Sequence, residues 1–279
     1  MMLTAKHKMV IWCGLVVIGA ALAGLLPGDA FDWRVFFGQG NIPAHYPPWT
    51  GLVVSVLTYP LVVGITLASF GIAALLRARS PLHSALAFLN LPLFWTIFLG
   101  QLDGLVLLGT LALPWLLPLA LLKPQVAGWV LFARPRLLPL ALLFVLLTFL
   151  VWGPWPVDIL TYARDPGDWP QDIAGWGGIA LLCAFVLTGT PSSNDPDWWM
   201  LAGACITPVL IPYNLLPLMP VIARLPAGWA VAAAVTSWLP LLANWVGDWG
   251  WQLGWVSLAA IGLGLRSLGR ENREHGSRL

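Results

Sequence analysis

Apolar residues run in long blocks along most of this chain, and polar residues gather in the short gaps between them. The blocks do not alternate apolar with polar, so they predict helices and not barrel strands. About 20 apolar residues are enough for a helix to cross the hydrocarbon core of a bilayer. Blocks of that order cover Met9 to Pro27, Gly51 to Leu76, Leu82 to Leu99, Leu137 to Gly153, Gly175 to Thr190, Ala227 to Val246 and Gly250 to Leu265. Trp198 to Leu225 is too long for one span and is broken by Pro208, Pro212, Pro217 and Pro220, which predicts a hairpin turning near "TPVLIPYN". Gly104 to Ala133 is ambiguous. The expectation is an all-α, polytopic transmembrane helical bundle of about eight to eleven segments over residues 1–265. A polar tail over 266–279 is expected to fray.

Composition agrees with the pattern. Only 9% of the 279 residues are charged and 59% are hydrophobic, whereas soluble domains carry about 25% charged residues. No soluble domain, nucleotide-phosphate loop or nucleic-acid-binding region is visible, and no cofactor is implied. Cys13, Cys183 and Cys205 lie inside apolar blocks without metal-ligand or disulfide spacing, so they read as small apolar side chains and no metal site is expected. The first block follows Lys6, His7 and Lys8 but lacks a clear small-residue cleavage site, so it reads as an uncleaved first helix.

Charge placement adds an orientation. With the N-terminus in the cytoplasm and sides alternating, Lys6, Lys8, Arg77, Arg79, Arg134, Arg136, Arg224, Arg266, Arg270, Arg273 and Arg278 face the cytoplasm. Only Arg34 and Arg164 face outward, which is the positive-inside asymmetry; the short loops and the lack of eukaryotic targeting signals point to an inner (plasma) membrane. Both termini then lie inside. The outward side collects Asp29, Asp32, Asp103, Asp158, Asp165, Asp168, Asp172 and Asp248. Many of the 18 Trp residues fall at block ends, where an interfacial belt explains them and sugar stacking is the alternative.

Three places carry candidate chemistry. The first outward loop, "FDWRVFFGQGNIPAHYPPW", sets Asp29, Asp32, Arg34, His45 and Tyr46 beside the membrane. A carboxylate at an apolar boundary can act as a general base on a hydroxyl, and Arg or His can hold a phosphate. The same residues also suit an ordinary solvated loop. Gln101 and Asp103 come next, at the outer end of the third block. Polar groups at membrane depth face a cavity or a partner, yet the Gly100 to Gly104 stretch also reads as a helix-to-helix turn capped by Asp103. Lys123 is the third. Either Gly104 to Leu122 is one span that leaves Lys123 as a cytoplasmic anchor, or the chain returns as a broken hairpin that brings Lys123 to the outer side. The residues alone favour the single span, and the charge rule does not separate the two.

The runs "NLPLFWTIFLGQLDGLVLL", "LALLKPQ" and "ITPVLIPYNLLPLMP" resemble integral-membrane glycosyltransferases of the GT-C fold. The nearest branch uses polyprenyl-phosphate-mannose as donor. The shared features are an early Asp in the first outward loop (Asp32), a Tyr-Pro-Pro before the second span (Tyr46-Pro47-Pro48), a Gly-Gln-x-Asp turn, a Lys-Pro and a Thr-Pro followed by an aromatic residue. The chain is shorter than typical members, and the cytoplasmic loop before the Lys-Pro helix is reduced to Pro114-Trp115.

The resemblance implies transfer of a mannose-like sugar from a polyprenyl-phosphate donor to a glycan or lipid acceptor at the outer membrane face, with inversion. Asp32 would be the base, with Asp29 as the alternative. Arg34, His45 or Lys123 would offset charge on the lipid phosphate. Gln101 and Asp103 would bind sugar hydroxyls or fix the loop, and Tyr213 and Asn214 would lie across the cavity. The competing expectations are a non-catalytic membrane scaffold derived from the same fold and a small-molecule transporter. The latter is weakened because no internal repeat is found and most charges lie at span ends.

Overall fold

The computed structural model describes residues 5–23, 25, 30–43, 46–162, 175–187, 194–207 and 209–276. Among these residues every regular element is helical and none is a strand. Three helices are long and apolar enough to cross a membrane, at Tyr59–Arg77, Pro135–Trp152 and Ala227–Val246. A fourth crossing results if Pro81–Phe88 and Leu91–Leu99, bent by 47°, count as one. The all-helical class therefore stands. The number of pieces differs, because the described residues form fifteen α-helices instead of eight to eleven segments.

Prolines and caps make the difference. Gly51 to Leu76 divides into α3 (Thr50–Val54) and α4 (Tyr59–Arg77), with Pro60 in the first turn of α4. Proline has no N–H to give and favours a helix start. Leu82 to Leu99 divides into α5 (Pro81–Phe88) and α6 (Leu91–Leu99). Here Asn90 Oδ1 accepts the Leu93 N–H at 2.8 Å, and Pro92 occupies the first turn of α6. The Leu91 N–H donates to Ser237 Oγ at 3.1 Å, which ties this break to the chain just after α13 (Ala227–Thr236).

The frame is built around α4. Helix α1 (Ala5–Ala23) lies against it through facing glycines: a Cβ on Gly64 would stand 2.3 Å from the Val16 carbonyl oxygen, and one on Gly19 would stand 2.8 Å from Gly64 Cα. Small residues let two membrane helices approach backbone to backbone. Helix α2 (Phe31–Val35) sits in the first loop.

Two hairpins fill the interior. The first is α7 (Asp103–Leu111), a turn exposing Trp115, and α8 (Leu117–Ala120). Its arms touch so closely that a Cβ on Gly109 would lie 2.2 Å from the Ala120 nitrogen. With nine and four residues, the arms rise about 14 and 6 Å, well short of the bilayer's hydrocarbon core. The single-span reading of Gly104 to Leu122 is therefore corrected: the chain turns back within the protein.

The 3-10 helix Ala127–Ala133 leads from this hairpin to α9 (Leu138–Trp152), much of whose apolar surface is exposed, and then to α10 (Trp155–Tyr162). The second hairpin follows α11 (Gly175–Leu187). It rises as α12 (Pro196–Ile206) and returns through the 3-10 helices Pro212–Leu215 and Met219–Arg224, matching the hairpin expected from the Pro-rich block. Leu215, Leu216, Leu218, Met219, Val221 and Ile222 are all buried there.

Helix α14 (Ala243–Val246) and a 3-10 helix over Asp248–Gly254 precede α15 (Trp255–Gly276). Of the segment expected to fray from Arg266, the described part continues α15 to Gly276. Glu271 on that extension meets Arg79 at 2.9 Å.

Candidate functional site

The first loop is held onto the end of α6. The Ala30 N–H donates to the Phe98 carbonyl at 3.0 Å, and Ala30 takes a left-handed conformation (φ 43°) just before α2. A non-glycine residue in that region is strained, so the contact with α6 fixes where α2 begins. Trp33 and Phe37 turn inward, and Gly100, with φ 75°, passes under Trp33 where a Cβ would lie 2.7 Å from Trp33 Cβ. Phe37 packs edge-on against Tyr46, ring centroids 5.3 Å apart. These contacts bring Asp32, Tyr46 and Gln101 to one place.

Gln101 is at the centre. Its Nε2 donates to Asp32 Oδ2, while its Oε1 accepts from the Tyr46 hydroxyl at 2.8 Å and from Lys123 Nζ at 2.7 Å. Lys123 Nζ also donates to Asp103 Oδ2 at 2.6 Å. The ammonium lies 4.3 Å from the Tyr213 ring centroid and 5.1 Å from that of Tyr46. Gln101, Asp103 and Lys123 are 3%, 1% and 5% exposed, whereas Asp32 is half-buried.

Each element has a reason to deliver its residue. The Gly100 turn ends α6 and presents Gln101. Asp103 opens α7 in its first turn, where negative charge meets the positive end of the helix. The α7–α8 hairpin then returns the chain so that Lys123 comes back to Asp103. Pro124 directly after Lys123 disfavours a helix there, and the chain remains in turns until Ala127. The Gln125 carbonyl accepts the Thr207 hydroxyl at 3.0 Å, joining the two hairpins beside the site. Asn214 Oδ1 accepts the Ile211 N–H at 3.0 Å, which shapes the loop that carries Tyr213, and Asn214 itself lies beside Asp103.

The structure thus brings together Asp32, Tyr46, Gln101, Asp103, Lys123, Tyr213 and Asn214 from five separate stretches. Arg34 is exposed on α2. It is two residues from Asp32, so the two side chains leave different faces of the helix. Asp29 and His45 lie outside the described residues. Lys123 is not the surface anchor that the single-span layout expected. Among the described residues no group of three or more His, Cys, Asp or Glu converges to hold a metal ion.

Burial raises the Asp32 carboxyl above the usual aspartate range, and the Gln101 hydrogen bond and the Lys123 charge partly offset this. Asp32 sits in the loop helix α2, outside the apolar spans.

A second polar cluster was not foreseen. Asp197, at the start of α12, is buried against Arg77 Nη1 at 3.2 Å and Arg224 Nε at 2.9 Å. Arg224 also pairs with Asp195, whose side chain caps α12 by accepting the Asp197 N–H at 3.0 Å. The cluster closes the base of the second hairpin onto the end of α4. The sequence signal was the pattern Asp-Pro-Asp, a cap followed by a proline in the first helical turn.

Protein-family models, curated proteins and solved structures give no match to this chain.

Proposed function

We propose that the chain is a membrane glycosyltransferase of GT-C-like fold, moving a mannose-like sugar from a polyprenyl-phosphate donor to a glycan or lipid acceptor at the outer face of the inner (plasma) membrane. The observation that carries this reading is the joining of Asp32 to Gln101, Lys123 and Asp103 in one hydrogen-bonded group. The residues come from the same motifs that suggested the chemistry.

In the proposed reaction the Asp32 carboxylate takes the proton of an acceptor hydroxyl. The acceptor oxygen forms a bond to the anomeric carbon as the bond from that carbon to the phosphate oxygen breaks, with inversion. The electron pair leaves with the lipid phosphate, and Asp32 later returns its proton to water. A fixed cation offsets the growing phosphate charge, and the candidates are Arg34, His45 and Lys123. Sugar hydroxyls suit the Asp103 carboxylate and the Asn214 side chain beside it. Asp32 is the half-buried member of the group and so the one placed to meet a substrate.

A second reading is a non-catalytic membrane scaffold built on the same fold. The burial of Gln101, Asp103 and Lys123 favours it, since a self-satisfied network can serve structure alone. Sugar transfer in proteoliposomes from a radiolabelled polyprenyl-phosphate-mannose donor separates the two. Wild type should transfer, and Asp32→Asn should lose at least about 10²-fold, the usual contribution of a general base. Equal turnover by both removes Asp32 from this role, and no transfer by either leaves the scaffold.

A further inference from the structure

Lys123, the one buried cation of the site among the described residues, is already engaged. An ammonium has three N–H donors. Two of those on Lys123 go to Asp103 Oδ2 and Gln101 Oε1, and the rings of Tyr213 and Tyr46 flank the nitrogen. With both carboxylates ionised, Asp32, Asp103 and Lys123 together carry one net negative charge. That is a poor seat for a lipid phosphate, which needs a surplus of positive charge.

What Lys123 does control is the direction of the Gln101 amide. Gln101 Oε1 accepts from two donors, Lys123 Nζ and the Tyr46 hydroxyl. If the amide turned over, its NH2 would face an ammonium that cannot accept. The NH2 end is therefore forced toward Asp32 Oδ2, and Asp32 Oδ1 is the oxygen left to meet an acceptor hydroxyl. We infer that Lys123 is a positioning residue: with Tyr46 it orients the Gln101 amide so that the amide holds the Asp32 carboxylate, and it does not bind the donor phosphate. The amide arrangement stands on the contacts alone. Its catalytic meaning rests on the glycosyl-transfer reading.

The test uses the full chain and three forms: wild type, Lys123→Met and the double variant Asp103→Asn/Lys123→Met. In the double variant, too, Gln101 Oε1 loses its ammonium donor. This variant also avoids an unpaired buried charge, the usual reason a single variant of a buried pair fails to fold.

Two measurements are made on each form. The first is kcat and donor KM for sugar transfer. The second is the Asp32 titration by carboxyl ¹³C NMR in detergent, assigned by its loss in Asp32→Asn. Burial, the Gln101 hydrogen bond and the Lys123 charge act on that titration; the other titratable or charged groups of the site among the described residues are Tyr46, Asp103 and, on its own helix, Arg34.

Both variants should lose about 10²-fold in kcat, as expected when a catalytic group is misplaced. Donor KM should stay within about twofold, since binding unrelated to the base is untouched. The Asp32 titration should be displaced in both. A donor KM raised tenfold with kcat retained would make Lys123 a phosphate ligand and overturn the inference. Recovery of the wild-type titration in the double variant would show that Gln101 holds Asp32 without Lys123, and would overturn it equally. If wild type transfers no sugar, the functional reading fails by itself, and the titration still decides what orients Gln101.

Discussion

At the scale of single residues, Asp32 makes the sharpest claim because its surroundings pull in opposite directions. Burial favours its neutral form, and Gln101 and Lys123 favour the carboxylate, with burial the larger effect. A base must be deprotonated to act, so activity should fall as pH drops through the Asp32 pKa. The acid limb of kcat/KM should then lie above the ordinary aspartate range and move higher still in Lys123→Met, which loses an acidifying charge. A pH–rate profile on proteoliposomes checks this, and an acid limb at or below the ordinary aspartate value contradicts it. Linkage gives an independent sign. A carboxyl raised on folding binds more protons in the native state, so its stabilising contribution is present at low pH and is lost as pH rises through the raised value.

The residues of this group were legible one by one, because a charge or an amide inside grease is conspicuous. Their joining was not. Gln101 and Lys123 are 22 positions apart, and only the return of the α7–α8 hairpin makes them neighbours. Hydropathy favoured a single span because Gly104 to Leu122 is apolar except for Thr110, and an apolar run looks the same whether it crosses a membrane or turns inside a protein.

At the scale of elements, the local punctuation was in the sequence but was outweighed by block length. Asn90 with Pro92 is a helix-start signal, and Tyr59-Pro60 is another, yet both sit inside runs long enough to count as spans. Asp195-Pro196-Asp197 is a third, and its neighbours Arg77 and Arg224 come from stretches too distant for spacing to reveal. The close approach of α7 to α4 was equally hidden. A Cβ on Gly104 would lie 1.9 Å from Thr66 Oγ1 and 2.6 Å from Thr66 Cα. Backbone cannot yield as a flexible side chain does, so Gly104→Ala should push α7 away and cost about 1–3 kcal/mol. Because α7 begins at Asp103, the same shift should weaken the Asp103–Lys123 pair. Gly228→Ala is the control, since nothing lies within 4 Å of its added Cβ. It should leave stability unchanged or slightly raised. Thermal unfolding in detergent measures both, and equal midpoints for the two variants would contradict the tight α4–α7 contact.

At the scale of the whole molecule, two buried charged clusters among the described residues lie at opposite ends of α4. One holds Asp32, Gln101, Asp103 and Lys123, and the other holds Arg77, Arg224, Asp195 and Asp197. Helix α4 runs between them: Tyr59 packs beside Gly100 at the first end, and Arg77 reaches Asp197 at the second. Its 19 residues rise about 28 Å, close to the thickness of a bilayer core. The span Pro135–Trp152 makes the same journey in reverse order. Phe132, just before it, packs on Trp199 near Asp197, and Trp155, just after it, packs on Trp49 near Tyr46. If these spans cross a bilayer, the two ends fall on opposite sides, and the proposed orientation has the arginine end in the cytoplasm. Single cysteines test the arrangement in a background with Cys13, Cys183 and Cys205 replaced. Gln39→Cys and Arg136→Cys report the two ends, and both positions are exposed. A membrane-impermeant thiol reagent added to intact cells or right-side-out vesicles should label Gln39→Cys at once and Arg136→Cys only after permeabilisation. Labelling of both from outside would mean that the two ends share one side, so that α4 does not cross. Labelling of Arg136→Cys alone would keep the crossing but reverse it, placing Asp32 in the cytoplasm and removing the outer-face donor from the proposed reaction.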